Sequence, residues 1–214
     1  MYEKVIKRVL DIILAITILV FLSWLYLIVA IAVAIDRPGT VIFSQKRVGK
    51  GKKIFYVHKF RSMIKEAPHD MPTHLLENPE KYITKVGGFL RRNSLDELPQ
   101  VWEILIGHMS FVGPRPALWN QTDLIEERDK YHANDVRPGL TGWAQINGRD
   151  ELGIELKAKY DGEYVAVLKK GGWQALRMDV KCFMVTLAFV LTRNGFAEGK
   201  SGAGKKNGSD SGKI

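Results

Sequence analysis

Between Ile12 and Ile35 the chain carries no charged residue and almost no polar one, and Lys4, Lys7 and Arg8 stand just ahead of that run. At about 1.5 Å per residue, a helix of this length reaches across the ~30 Å hydrocarbon of a bilayer. Buried helices of water-soluble cores are seldom so long and so apolar. A cleaved leader would have a shorter apolar region with small residues at its end, whereas this run ends in Asp36-Arg37-Pro38-Gly39. Basic residues also follow, at Arg37, Lys46, Arg47, Lys50, Lys52 and Lys53. Positive flanks favour the cytoplasmic side. A segment basic at both ends either spans, with the larger cluster inside, or dips in and returns; the pattern by itself favours spanning. Ser23 sits mid-run, where its hydroxyl can bond back to the Leu19 carbonyl and bend the helix, but the pattern predicts a straight one.

After Gly39 the periodicity changes. Thr40-Val41-Ile42-Phe43 reads as a strand, Gly49-Lys50-Gly51-Lys52 as a turn and Ile54-Phe55-Tyr56-Val57 as a second strand, which together predict a small hairpin. Residues 66–81 are rich in Pro and polar side chains. From Ile83 onward helical patterns dominate, broken at Gly113-Pro114 and at Arg137-Pro138-Gly139. Val180, Phe183, Met184, Leu187, Val190 and Leu191 recur at helical spacing, so this segment has one face for the core or for a bilayer surface, with the core expected. The chain from Gly195 is rich in Gly, Ser and Lys and is expected to be disordered. The predicted fold is α+β and predominantly helical. It has an anchor over 1–36, a domain over 37–194 and a basic tail over 195–214.

Charge narrows the partners. A net charge of +9 suits an anionic partner: nucleic acid, acidic lipid or a phosphorylated substrate. No zinc spacing, basic-region heptad or aromatic RNA-binding motif is present, so nucleic acid is not expected. His58, His69, His74, His108 and His132 lack zinc-ligand spacing and are expected to be plain surface or core residues. The single Cys182 cannot form an internal disulfide and reads as a small buried hydrophobe. Gly199 to Lys206 resembles a phosphate-binding loop, but Lys206 stands where a hydroxyl should bind Mg²⁺ and no helical pattern follows.

The segment Ser94-Leu95-Asp96-Glu97-Leu98-Pro99 sets two adjacent carboxylates before an apolar helical run. Ser94 and Glu97 match a capping box, a purely structural arrangement. Pro99 argues against a helix begun at Ser94, so the helix is expected to start late or kink. Alternatively the helix mouth gathers anions, and a carboxylate nucleophile, a carboxylate metal ligand and a phosphate meet there. Arg115 stands between Pro114 and Pro116. Such a backbone loses little freedom on binding, and the planar guanidinium suits a bidentate grip on phosphate, although a Pro-Arg-Pro is often only a loop. Lys59 and Arg61 close the second predicted strand. The segment from Arg137 to Arg149 alternates turn formers with a short apolar strand, fit for a sugar or nucleotide pocket or for a structural turn.

Taken in order, the basic-flanked anchor, Gln45-Lys46-Arg47-Val48-Gly49, Lys59-Phe60-Arg61-Ser62-Met63, Ser94-Leu95-Asp96-Glu97-Leu98-Pro99-Gln100, Val112-Gly113-Pro114-Arg115-Pro116 and Arg137-Pro138-Gly139-Leu140-Thr141-Gly142-Trp143 resemble the bacterial sugar transferases. These are monotopic phosphoglycosyl transferases that begin capsule, O-antigen and glycoprotein glycan assembly. The resemblance covers residues 1 to 194 and looks like the minimal catalytic form. It implies an enzyme on the cytoplasmic face of the bacterial inner membrane, embedded in the lipid bilayer by a re-entrant helix, that transfers a sugar phosphate from a UDP-sugar to polyprenyl (undecaprenyl) phosphate and releases UMP. By the same resemblance Asp96 is the nucleophile and forms a covalent phosphosugar, and Glu97 beside it ligates Mg²⁺. Arg115 holds a phosphate, and Lys59, Arg61 and Arg149 contact the diphosphate. The other readings are a membrane glycosyltransferase that leaves UDP and a non-catalytic scaffold. Family members usually have Ser-Pro at the middle of the anchor, and the Pro turns the helix back. Here Ser23 is followed by Trp24.

Overall fold

The computed structural model describes residues 1–71, 76–148 and 151–192. His74, Arg149 and the tail from Gly195, with its loop-like motif, lie outside the described residues. The fold is α+β and mostly helical, as the periodicity predicts. Its first surprise is the anchor, which forms two helices where the hydropathy pattern favours a straight one. A π-helical turn at Tyr2–Ile6 leads into α1 (Lys7–Phe21), Leu22 leaves helical geometry at φ −102°, ψ 10°, and α2 (Ser23–Asp36) resumes. The segments Tyr2–Phe21 and Ser23–Asp36 are bent by 63°, and no single helix among the described residues is long and apolar enough to cross a membrane.

No proline makes this break, so its cause lies in contacts. The Ser23 hydroxyl donates to the Val20 carbonyl at 2.9 Å, one residue away from the expected acceptor Leu19, and draws off a helical acceptor at the bend. The two arms also dock on different ground. Ala15 of α1 is buried in the main core, whereas Val29 and Val33 of α2 bury against Phe60 and Leu90. Tyr26 on α2 donates to the Leu98 carbonyl at 2.5 Å.

Antiparallel β1 (Ile42–Val48) and β2 (Ile54–Phe60) form the expected hairpin with Val48 opposite Ile54. Both strands run further than the apolar stretches predict: β1 starts at Ile42, two residues late, and continues through Gln45 and Arg47. There follow α3 (Lys85–Arg92), a 3-10 turn at Leu95–Glu97, α4 (Gln100–Ile106), β3 (Ser110–Val112), α5 (Thr122–Asp129), β4 (Gly139–Thr141), α6 (Trp143–Ile146), α7 (Ile154–Lys170) and α8 (Gly172–Leu191). The expected breaks at Gly113 and Gly139 adjoin a parallel β3–β4 pair. Glycine is required by the close approach there. A Cβ on Gly139 would sit 2.1 Å from the Gly113 nitrogen, and one on Gly113 would sit 2.5 Å from the Arg137 carbonyl oxygen.

The main core gathers Val101 and Ile104 of α4, Phe111 of β3, Tyr164, Val165 and Leu168 of α7 and Cys182 of α8. In α8 the expected face is split: Phe183 packs against the core and meets Phe111 edge-on, Val180, Met184, Leu187 and Leu191 are exposed, and the buried positions are Ala175, Asp179 and Cys182. Burial pushes the Cys182 thiol up to about 12, as suits an inert core residue.

Candidate functional site

Asp96 sits on the turn Leu95–Glu97, which is not a capped helix start. Ser94 is left-handed at φ 54°, ψ 20°, its side chain makes no cap, and α4 begins only after Pro99. The capping box is therefore not formed, and the late start that Pro99 predicts is observed. A non-glycine residue in this region costs on the order of 1 kcal/mol or more, a strain that a locally preferred cap would have avoided. Glu97 turns instead to the hairpin and to the Arg115 loop. Its Oε1 accepts from Lys59 Nζ at 2.8 Å and from Arg115 Nη2 at 2.7 Å.

A cavity of about 270 Å³ opens beside this turn. Its described lining carries Arg47, Lys59, Arg61, Lys65, Arg91, Arg115, Arg128 and Lys157, with Asp96 the one carboxylate among those lining residues. Asp96 is itself 5% exposed. Even with Glu97 paired to Lys59 and Arg115 and Asp161 paired to Arg128, these cations outnumber the carboxylates, and such an excess of positive charge suits a polyanion. Phe43, Gln45 and Arg47 reach the cavity from alternate positions of β1, as a strand's period of two requires.

The Arg115 loop is held by its carbonyls, since neither flanking proline has an N–H. Gly139 N donates to Pro114, Arg128 Nη1 to Arg115, Arg47 Nη1 to Pro116 and Val48 N to Ala117, each at 2.9 Å. Arg61 lines the cavity wall, but its guanidinium donates to the carbonyls of Val33, Arg37 and Pro38 at the end of α2. It joins the anchor to the site. Of the residues singled out in the sequence, Asp96, Glu97, Lys59, Arg61 and Arg115 are thus brought together. Ser23 and Trp24 stand at the anchor bend. Arg149 lies outside the described residues.

Several site residues carry no advance notice. Arg91, Arg128 and Lys157 line the cavity from three different helices. Behind the site, Glu103 is fully buried and its Oε1 lies 2.6 Å from His58 Nδ1. Burial raises the Glu103 carboxyl above the usual range, against the pull of His58. Among the described residues no three His, Cys, Asp or Glu side chains form a metal cage. The adjacent carboxylates of Asp96 and Glu97 fit Mg²⁺, which is commonly held by one or two carboxylates together with substrate phosphates.

Comparison with known proteins bears on this geometry. Residues 2–193 match the bacterial sugar transferase family. The chain is 43% identical over 172 residues to UDP-glucose:undecaprenyl-phosphate glucose-1-phosphate transferase of Escherichia coli K12, covering 76% of this chain and 36% of that protein. A protein of the same name from Xanthomonas campestris is 38% identical over 197 residues, covering 89% of this chain and 40% of that protein. An uncharacterized sugar transferase of Bacillus subtilis, EpsL, is 36% identical over 194 residues, covering 91% of each. The chain therefore spans well under half the length of the first two and nearly all of the third.

Proposed function

The chain belongs to the bacterial sugar transferase family, and we propose that it is a phosphoglycosyl transferase, moving a sugar 1-phosphate from a UDP-sugar to undecaprenyl phosphate. The observation that carries this reading is the cavity itself, whose described lining sets the buried Asp96 among eight Lys or Arg side chains. A nucleoside diphosphate sugar and a lipid phosphate are both anions of the kind such a cavity collects. Two relatives take UDP-glucose by name, which makes UDP-glucose the first donor to try.

The residues divide the work as follows. An Asp96 carboxylate oxygen attacks the sugar-bearing phosphorus. A bond forms from carboxylate to phosphorus, the bond to the bridging oxygen breaks, and UMP leaves with that electron pair. A phosphate oxygen of undecaprenyl phosphate then attacks the same phosphorus and expels Asp96, giving the lipid diphosphosugar. Neither displacement needs a proton donor between ionised groups. Arg115 and Lys59 meet the phosphates, and Arg61 ties the end of the anchor to the cavity wall. Glu97, with Asp96 adjoining, would hold Mg²⁺, which supplies charge neutralisation when one anion attacks another.

The two-armed anchor enters the bilayer from the cytoplasmic side of the inner membrane and turns back. The 63° bend, the basic residues on both flanks and the exposed apolar side chains of both arms support this arrangement. The exposed Val180, Met184, Leu187 and Leu191 of α8 would rest at the same lipid surface.

The test is turnover by the purified protein with Mg²⁺, undecaprenyl phosphate and a panel of UDP-sugars, with products identified by mass. UMP and a lipid diphosphosugar are expected. Release of UDP would make the chain a glycosyltransferase that moves the sugar alone, and no product from any donor would leave a non-catalytic scaffold.

A further inference from the structure

A buried ion pair stands behind the Arg115 loop. Arg128 on α5 is 3% exposed, and its Nε and Nη2 both donate to Asp161 Oδ2, at 2.8 and 2.6 Å. Asp161, on α7, is 1% exposed, and its Oδ1 has no hydrogen-bond partner. An ion pair so deep is poor value for stability alone, because desolvating both charges offsets most of their attraction and an apolar pair of similar volume often serves as well. What an apolar pair would not do is hold the third nitrogen in place. Arg128 Nη1 donates to the backbone carbonyl of Arg115 at 2.9 Å, and the Arg115 side chain reaches Glu97 Oε1 at 2.7 Å.

We propose that Asp161 and Arg128 are positioning residues for the transfer. Asp161 fixes the plane of the Arg128 guanidinium, and that plane pins the Arg115 carbonyl, so that the Arg115 fork and Glu97 meet the phosphates in register. The chain of contacts runs from α7 through α5 to the loop and ends on the turn that carries Asp96. A planar fork is essential to it, since one edge serves the carboxylate while the remaining nitrogen serves the carbonyl. The point-like ammonium of a lysine keeps the charge pair but cannot hold both partners at fixed angles. Helix α7 marks the position in its own pattern: Ala158, Val165 and Leu168 make its buried face, and Asp161 lies on that face as its charged member.

This proposal rests on the phosphoglycosyl transferase reading, and the experiment separates the two. If the wild-type full chain turns over no UDP-sugar, the functional reading fails first. With an active wild type, Arg128→Lys is expected to lower kcat by about tenfold or more, with KM changed by less than about twofold, because a misplaced catalytic group costs rate more than binding. The paired change Arg128→Met with Asp161→Leu removes both charges at once. It is expected to keep the melting temperature and to lose kcat to a similar degree. In an Arg115→Lys background, Arg128→Lys should cost less than about twofold more, since both act through one contact. A folded Arg128→Lys enzyme with wild-type kcat would overturn the proposal. So would a rise in KM alone, full additivity with Arg115→Lys, or melting temperature and activity falling together in the paired variant.

Discussion

Two polar clusters in this molecule pair carboxylates with cations, and they have opposite characters. At the seam between anchor and domain, Asp179 accepts from Tyr2 Oη at 2.7 Å and Lys7 Nζ at 2.8 Å through Oδ2, and from Tyr164 Oη at 2.8 Å through Oδ1. Arg8 adds donors to the Ile104 and Leu105 carbonyls, and Asp11 accepts from the Phe111 N–H. Both oxygens of Asp179 are filled, and its charge is met by a buried lysine. At the cavity, eight cationic side chains of the described lining stand with Asp96, and the nearby carboxylates of Glu97 and Asp161 form ion pairs with Lys59, Arg115 and Arg128 among them. The seam is balanced and closed. The cavity is unbalanced and open, and such an imbalance persists in a folded protein when an anionic ligand restores it. Matched charge locks the anchor to the domain, and a surplus of cations over carboxylates lines the cavity.

The contrast can be broken from either side. The largest effect is expected at the seam: Asp179→Ala removes the carboxylate to which Lys7 Nζ donates, leaves the buried ammonium only the field of Asp11 and should destabilise the fold by about 3 to 5 kcal/mol. Denaturant unfolding would read this, and the fraction that remains folded should turn over at the wild-type kcat. Were kcat to fall in that fraction as well, the seam would not be purely structural. A smaller effect of the opposite kind is expected at the cavity. Arg115→Lys keeps the charge and loses the fork, weakening a charge-assisted contact by roughly 1 to 3 kcal/mol, or at least tenfold in activity. Its melting temperature should stay at the wild-type value. Unchanged kinetics in Arg115→Lys would return the Pro-Arg-Pro segment to the status of an ordinary loop.

How much of this is legible in the chain depends on whether a feature is local. The hairpin turn at Gly49 to Lys52 and the breaks at Gly113 and Gly139 are written in turn formers, and the resemblance singled out Asp96, Glu97, Lys59 and Arg115 as a group. The anchor bend is only partly local: no proline stands there, the Ser23 hydroxyl takes up the Val20 carbonyl at the break, and α1 and α2 dock on separate clusters. The capping box at Ser94 is a local rule defeated by a tertiary one, because Lys59 and Arg115 claim Glu97 from distant elements. Arg128, amid Glu126, Glu127 and Asp129, reads as an ordinary surface charge. Asp161 and Asp179 could have been found, since each sits on the buried face of its helix among Ala158, Val165 and Leu168 or Ala175 and Cys182. A charge on an apolar face announces a buried partner.

The central claim is that Asp96 carries the sugar phosphate between donor and acceptor, and it can be tested without the lipid. Enzyme given only a UDP-sugar and Mg²⁺ should release about one equivalent of UMP and gain the mass of one phosphosugar, because the first half of a ping-pong reaction needs no acceptor. Asp96→Asn should abolish the adduct in a protein that is still folded, and Glu97→Gln should slow its formation without moving it. If UMP appears only when undecaprenyl phosphate is present, and no adduct can be trapped on Asp96, the transfer is direct and Asp96 is not the nucleophile.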